Sequence, residues 1–336
     1  MEQQVTRIAI VGAGAMGVLT AYHLSAANIE VDFLVRPSRV AKMPTQYRLY
    51  SYDDATTPVL GGFGVLARPS ELARQDYEFV ILCLDGAGLR SEDGRSLLVG
   101  IGAAIRDKAT VLIVGSMGLG LRDLAIQLTG LPDDRVVTGR LGLLGHKVAG
   151  AALPLHAPTD REALMTSDYA FRHVSEGGFA IEDRNAAARR FAKVFDRCGI
   201  AKCFVVPPEL FALQSRQIFP VFALSELLGW PPAEGFVSAG KLWALTIEAV
   251  RQIQGLAEHG EAGQKAAAEM SGDRLLAMWK AMEAASLPLD WQAFNAYHHG
   301  DKVKDADKLL LAGCIEQGES EGRDMSAVKE ILSLWR

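Results

Sequence analysis

The chain has no run of apolar residues near the ~20 that a membrane-spanning helix needs and no excess of basic charge. Lysine and arginine number 35 against 40 aspartates and glutamates, a formal net charge of −5. A nucleic-acid or anionic-membrane partner is therefore not expected. Cysteine is sparse: Cys83, Cys198, Cys203 and Cys314 form no CxxC pair, so neither a disulfide framework nor a thiolate metal site is expected. The opening Met1-Glu2-Gln3-Gln4 lacks the basic flank and apolar core of an export signal, and the expectation is a cytoplasmic protein with reduced thiols. No repeat or low-complexity stretch stands out.

What remains is an ordinary globular composition, 49% hydrophobic and 22% charged over 336 residues, long enough that two domains are expected. The first part alternates short apolar, β-branched runs with helical patterns. Arg7–Val11, Val31–Val35, Phe79–Cys83 and Thr110–Val114 read as strands buried on both faces, with a helix from Ala15 to Ala27 after the first. Residues 48–52 and 57–60 read as a hairpin. Segments around Val136, 149–155 and 169–174 read as strands on a sheet edge. Asn185 suits the N-cap of a helix ending near Cys198. After Pro207-Pro208 the strand signal vanishes. The expected fold is α/β: an N-terminal doubly wound parallel sheet of the Rossmann type over residues 1–206, then an all-helical domain over 207–336.

Gly12-Ala13-Gly14-Ala15-Met16-Gly17 is G-x-G-x-x-G, placed between a strand and the helix that leads to a second strand. That context makes it a dinucleotide fingerprint. Its glycines serve the tight turn, the approach of backbone to a pyrophosphate, and close helix–strand packing, while the helix N-terminus offers N–H groups to the phosphates. Where NAD binders place an acid after the second strand, this chain has Arg36, then Ser38 and Arg39. A guanidinium fork and a hydroxyl suit a 2′-phosphate, so NADP is the expected cofactor. Two further strand-end loops, with Leu84 and Asp85 in one and Ser116, Met117 and Gly118 in the other, are expected to border the cofactor.

On these residues the chain resembles the ketopantoate reductases. The run from Arg7 to Gly17, the strand end Leu34-Val35-Arg36, the Ser116-Met117-Gly118 turn and the late Gly318–Met325 segment are similar to that family's pattern. The resemblance implies NADPH-dependent reduction of a 2-keto acid, a small carbonyl substrate, and a homodimer through the helical domain. The family's catalytic lysine, on the first helix of the second domain, is absent: no lysine lies between Lys202 and Lys241, and Leu213 aligns with it. The replacement chemistry is expected in the polar patch running from His298 to Asp305. His299 and His298 are candidate acids, since histidine ordinarily titrates near neutral pH, Lys302 is a candidate carboxylate binder, and Asp305 lies where the family's late glutamate falls. Arg216 is a further candidate clamp. His156, His173 and His259 read as structural, and no metal site is expected. An opine- or imine-forming dehydrogenase and a catalytically silent NADP sensor are the alternatives.

Overall fold

A computed structural model describes residues 6–335. The opening Met1–Gln4 read for an export signal lies outside the described residues. The chain forms two compact units, Met1–Ala151 with Ala157–Val206, and Ala152–His156 with Pro207–Arg336.

The first unit is mixed α/β. Its larger sheet uses β1 (Arg7–Val11), β2 (Glu30–Leu34), β5 (Gly64–Leu66), β6 (Phe79–Leu82), β7 (Val111–Val114), β8 (Val136–Leu141), β11 (Gly177–Glu182) and β12 (Lys202–Val206), in the order β12-β11-β8-β7-β6-β1-β2-β5. Pairing from β5 through β8 is parallel. Ile8, Ala9 and Ile10 are fully buried, as a strand covered on both faces demands. The chain runs outward from β1 to β2 and β5, then returns to the other side of β1 at β6, so strand order reverses between β1 and β6. A ligand of such a sheet sits at the carboxyl ends of the strands at that reversal.

A second sheet, β4-β3-β10-β9, is built from β3 (Gln46–Ser51), β4 (Val59–Gly61), β9 (Leu144–Lys147) and β10 (Tyr169–Arg172). The hairpin expected at residues 48–60 is β3 and β4, with Tyr47 opposite Leu60. Three expectations fail. Tyr169–Arg172, expected at a sheet edge, is β10 and is paired on both sides, with β3 and with β9. The strand at Val136 is interior, held between β7 and an antiparallel β11. Residues 149–155 form no strand, only an isolated bridge from Leu155 to Leu289. Pro154, which has no N–H for a ladder, stands within this segment, and the pairing strand is Leu144–Lys147 instead.

Helix α1 (Ala15–Ala26) lies in the same core as Tyr47, Leu49, Tyr169 and Phe171 of the second sheet. Its His23 is fully buried, stacked on Phe195 with ring centroids 5.5 Å apart. Nδ1 donates to the Leu19 carbonyl at 2.7 Å, so the neutral ring accepts at Nε2 from His173 Nε2 at 3.0 Å. His173 Nδ1 meets Asp53 at 2.6 Å. Burial pushes His23 down to about 4. The unfolded chain therefore takes up a proton between pH 6.5 and about 4 that the folded chain refuses. His23 thus contributes stability in full above that window and loses it as pH falls through it, by about 3 kcal/mol for a shift of this size. Urea midpoints at pH 7 and pH 4 should show His23→Phe losing less stability on acidification than the parent. Parallel pH dependences would refute this.

The second unit is helical from Pro207 onward, and no helix among the described residues is long and apolar enough to cross a membrane. The four cysteines are buried and unpaired. Burial pushes the Cys83 and Cys314 thiols up to about 12, as expected of inert core residues.

Candidate functional site

The glycine loop follows β1 at the strand-order reversal. Gly12 has φ +102°, and a Cβ there would stand 3.0 Å from the Cys83 carbonyl oxygen beyond β6. A Cβ on Gly17 would fall 2.0 Å from the Gly12 carbonyl oxygen, so the helix can start this close to the strand only with glycine. Gly14 differs: it caps α1 in extended conformation, no side chain caps the helix, and a Cβ there meets nothing within 4 Å. The first backbone bond of α1 that reaches back to the loop is from Val18 N–H to the Gly14 carbonyl, 2.9 Å. The earlier N–H groups of a helix have no intrahelical acceptor. Open space in front of free N–H groups and a positive dipole end fits a pyrophosphate.

Arg36 is the first exposed residue past β2 and forms no ion pair among the described residues. Ser38 and Arg39 follow in the short helix Pro37–Val40, and the Arg39 guanidinium donates to the Ala13 carbonyl at 3.4 Å. The strand ends β6 and β7 supply the remaining border. Leu84 Cδ2 lies 3.0 Å from where a Gly12 Cβ would be. Asp85 is committed to capping its own short helix, accepting from Gly88 N–H at 2.6 Å. Ser116 is buried and donates to the Leu84 carbonyl at 2.5 Å, which leaves only its lone pairs for a ligand. Met117 is exposed. The Arg90 guanidinium donates to the Leu119 carbonyl and pins the loop that carries Met117 and Gly118. Sequence reasoning did not single out Arg90, because the contact spans 29 residues.

In the second unit, His298–Lys302 form a π-helical turn between the helices Trp291–Tyr297 and Lys304–Ser320, a distortion that is frequent at functional sites. His299 stacks on Phe222 with centroids 3.7 Å apart and planes 14° from parallel. Its Nδ1 is 2.7 Å from Asp307 Oδ2. His298 stacks on Phe294 and meets His299 edge-on, centroids 4.8 Å apart. The expectation that these histidines titrate near neutral pH does not hold: burial pushes both down to about 3. For the same reason the Asp307 carboxyl is raised to about 8. Lys302 and Asp305 are exposed, whereas Lys304 is ion-paired with Glu226.

Leu213 is buried in the helix Pro208–Arg216. Arg216 is not a free clamp, because Glu258 takes it in a fork with contacts of 2.6 and 2.8 Å. Burial alone would raise Glu258, but the hydrogen bonds and charge of Arg216 hold it below the ordinary glutamate value. His156, read as structural, bonds Asp290 at 2.8 Å.

Comparison with known proteins agrees with this geometry. Residues 8–84 match the family model described as ketopantoate reductase PanE/ApbA. The whole chain superposes on a PanE/ApbA family ketopantoate reductase from Ralstonia eutropha JMP134. That match has a TM-score of 0.67 at 17% identity and covers 98% of this chain and 97% of the other. The chain has the ketopantoate reductase fold. The 2-dehydropantoate 2-reductase from Geobacter metallireducens GS-15 gives a TM-score of 0.62 at 18% identity, covering 98% of each chain. A ternary structure of D-mandelate dehydrogenase with NADH and anilino(oxo)acetate gives 0.65 at 14%, covering 98% of this chain and 96% of that one. No curated protein matches the chain significantly. The ketopantoate reductase fold thus extends over nearly the full length, although the family model itself matches only the segment from β1 to the loop after β6.

Proposed function

We propose that the chain is an NADPH-dependent oxidoreductase that reduces a 2-keto acid or a related small carbonyl to the 2-hydroxy compound. The observation that carries the reading is the unobstructed glycine loop at the head of α1, with the unpaired Arg36 just past β2. A bound dihydronicotinamide supplies the hydride. Gly12, Gly14, Ala15, Met16 and Gly17 hold the pyrophosphate, and Arg36, Ser38 and Arg39 take the 2′-phosphate. Leu84, Asp85, Ser116, Met117 and Gly118 border the nucleotide with their backbone. Residues 207–336 act as the substrate and dimerisation domain, with His299 as the group that gives a proton to the developing alkoxide. The resemblance to the family supports a cytoplasmic homodimer, and sedimentation equilibrium reports that assembly.

The experiment is NADPH oxidation with a panel of alkyl and aryl 2-keto acids, ketopantoate among them, with and without amines. Turnover that requires an amine would favour an imine-forming enzyme. NADPH binding with no turnover would favour a silent sensor, a reading to which the buried Leu213 gives weight. The cofactor choice has its own test. One charge-assisted contact at Arg36 should make NADPH bind at least about tenfold more tightly than NADH, ~1.4 kcal/mol. Arg36→Asp should erase that difference in calorimetry by repelling the phosphate. Equal affinity of the parent protein for both nucleotides would sink the assignment.

A further inference from the structure

We propose that Asp307 is the proton reservoir of His299: its carboxyl proton is donated to Nδ1, so that Nε2 carries the hydrogen and the pair delivers one proton to a carbonyl oxygen. The inference rests on the reductase reading above and deepens it by naming how a half-buried, uncharged histidine can still act as an acid.

The argument is one of hydrogen-bond accounting. Asp307 is only 7% exposed at its side chain, and His299 Nδ1 is the sole side-chain partner of its carboxyl among the described residues. An ionised carboxylate has about four lone-pair sites to satisfy; Nδ1 fills one, and a side chain only 7% exposed leaves little room for water at the others. A protonated carboxyl needs a single acceptor, and Nδ1 is that acceptor. His299 lies flat on Phe222 with Phe219 edge-on at 6.2 Å, rings that offer no counter-charge to an imidazolium, and the one carboxylate of their helix, Glu226, is taken by Lys304 and the Trp335 indole. The remaining charged or titratable neighbours do not alter this. His298 is itself held uncharged by burial, Lys304 is spent on Glu226, and Lys302 is exposed. Burial accordingly moves Asp307 up and His299 down. Nε2 has no protein hydrogen bond among the described residues and is not sealed from solvent.

The step balances. The carbonyl carbon accepts the hydride that a dihydronicotinamide supplies, and the C=O π pair moves onto oxygen. That oxygen takes the Nε2 proton. Nδ1 takes the Asp307 proton as its O–H bond breaks. The carbonyl is reduced, the nicotinamide is oxidised, and the protein is left with an Asp307 carboxylate and a neutral His299 protonated on Nδ1. Water then returns one proton to the pair. Asp307 is thus a positioning and proton-supplying residue that acts through His299.

The test begins on the protein alone. Infrared spectra should show a protonated-carboxyl C=O band that fades as pH rises through about 8 and is absent in Asp307→Asn. Nitrogen-15 spectra of labelled histidine should place the His299 proton on Nε2. With NADPH and the best carbonyl of the panel, kcat/KM for reduction should fall tenfold per pH unit above about 8. Asp307→Asn should lower kcat at least about a hundredfold and abolish that alkaline limb, with NADPH affinity and the circular dichroism spectrum kept. A missing band, a His299 protonated on Nδ1, or an alkaline limb that survives in Asp307→Asn overturns the proposal while carbonyl reduction stands. If NADPH binds and no carbonyl is reduced, the reductase reading fails and takes the delivery step with it.

Discussion

Gly14→Val should yield a folded protein that no longer binds NADPH. The glycine sits at φ −88°, ψ −173°, extended backbone that valine adopts readily, and the space beyond its missing Cβ is empty to 4 Å. The new side chain therefore costs the apoprotein little and stands where the pyrophosphate must approach the N–H groups. Calorimetry should show affinity reduced at least about a thousandfold, roughly 4 kcal/mol, with an unchanged circular dichroism spectrum. Gly17→Val is the contrast. Its Cβ would collide with the Gly12 carbonyl oxygen at 2.0 Å, so that variant should lose stability as well as binding. Undiminished binding by Gly14→Val would mean that the loop is only a turn.

His299→Ala should have the second large effect. The substitution removes a ring fixed from two sides, by the Phe222 stack and by Asp307, and with it the Nε2 proton donor. Loss of a preorganised donor to a developing oxyanion costs about 3 kcal/mol or more, on the order of a hundredfold in kcat/KM. NADPH affinity should stay within about twofold, which is below ~0.5 kcal/mol. His298→Ala and Lys302→Ala serve as comparisons. His298 makes ring contacts without a hydrogen bond to a carboxylate, and Lys302 lies exposed on the turn, so each should cost less. If all three variants keep near-parental kcat/KM, the turn is a structural cap and the acid lies elsewhere. Thermal melts separate the two effects of His299→Ala, because a stranded Asp307 side chain lowers stability by about 1–3 kcal/mol without touching the chemistry.

The parts of the fold legible in the sequence are those encoded locally. The glycine spacing after Arg7–Val11, the β-branched runs of β6 and β7, and the hairpin at Tyr47–Leu60 each announce themselves within a few residues. Arg36 is likewise readable by position, one residue past a recognisable strand end. What stayed hidden depends on pairing at a distance. Nothing near Val136 reveals that β11, some forty residues later in the chain, will turn an edge strand into an interior one. The partners Glu258 for Arg216 and Glu226 for Lys304 are 42 and 78 residues away, so a charge that the sequence offers as free for a ligand is consumed by the fold. Asp307 illustrates the same limit at short range. It is eight residues from His299, but across a π-helical turn no helical periodicity links them, and Asp305 was the more conspicuous acid. The histidine pKa values are hidden for a related reason, because the sequence names a histidine and only the packing says how dry it is.

The five residues from Ala152 to His156 have a consequence for how this chain can be divided. They interrupt the first unit in sequence yet are part of the second, joined to it by the Leu155–Leu289 bridge and the His156–Asp290 bond. A fragment cut after Val206 would carry a tether evolved for a body it no longer has, and the complementary piece beginning at Pro207 would lack the bridge and the histidine bond that this tether supplies. Recombination between relatives would meet the same obstacle: a helical half inherited from one parent must find its matching loop inside the α/β half of the other. The two halves are thereby linked in descent, and a single crossover near residue 206 is a poor route to new pairings of α/β and helical domains.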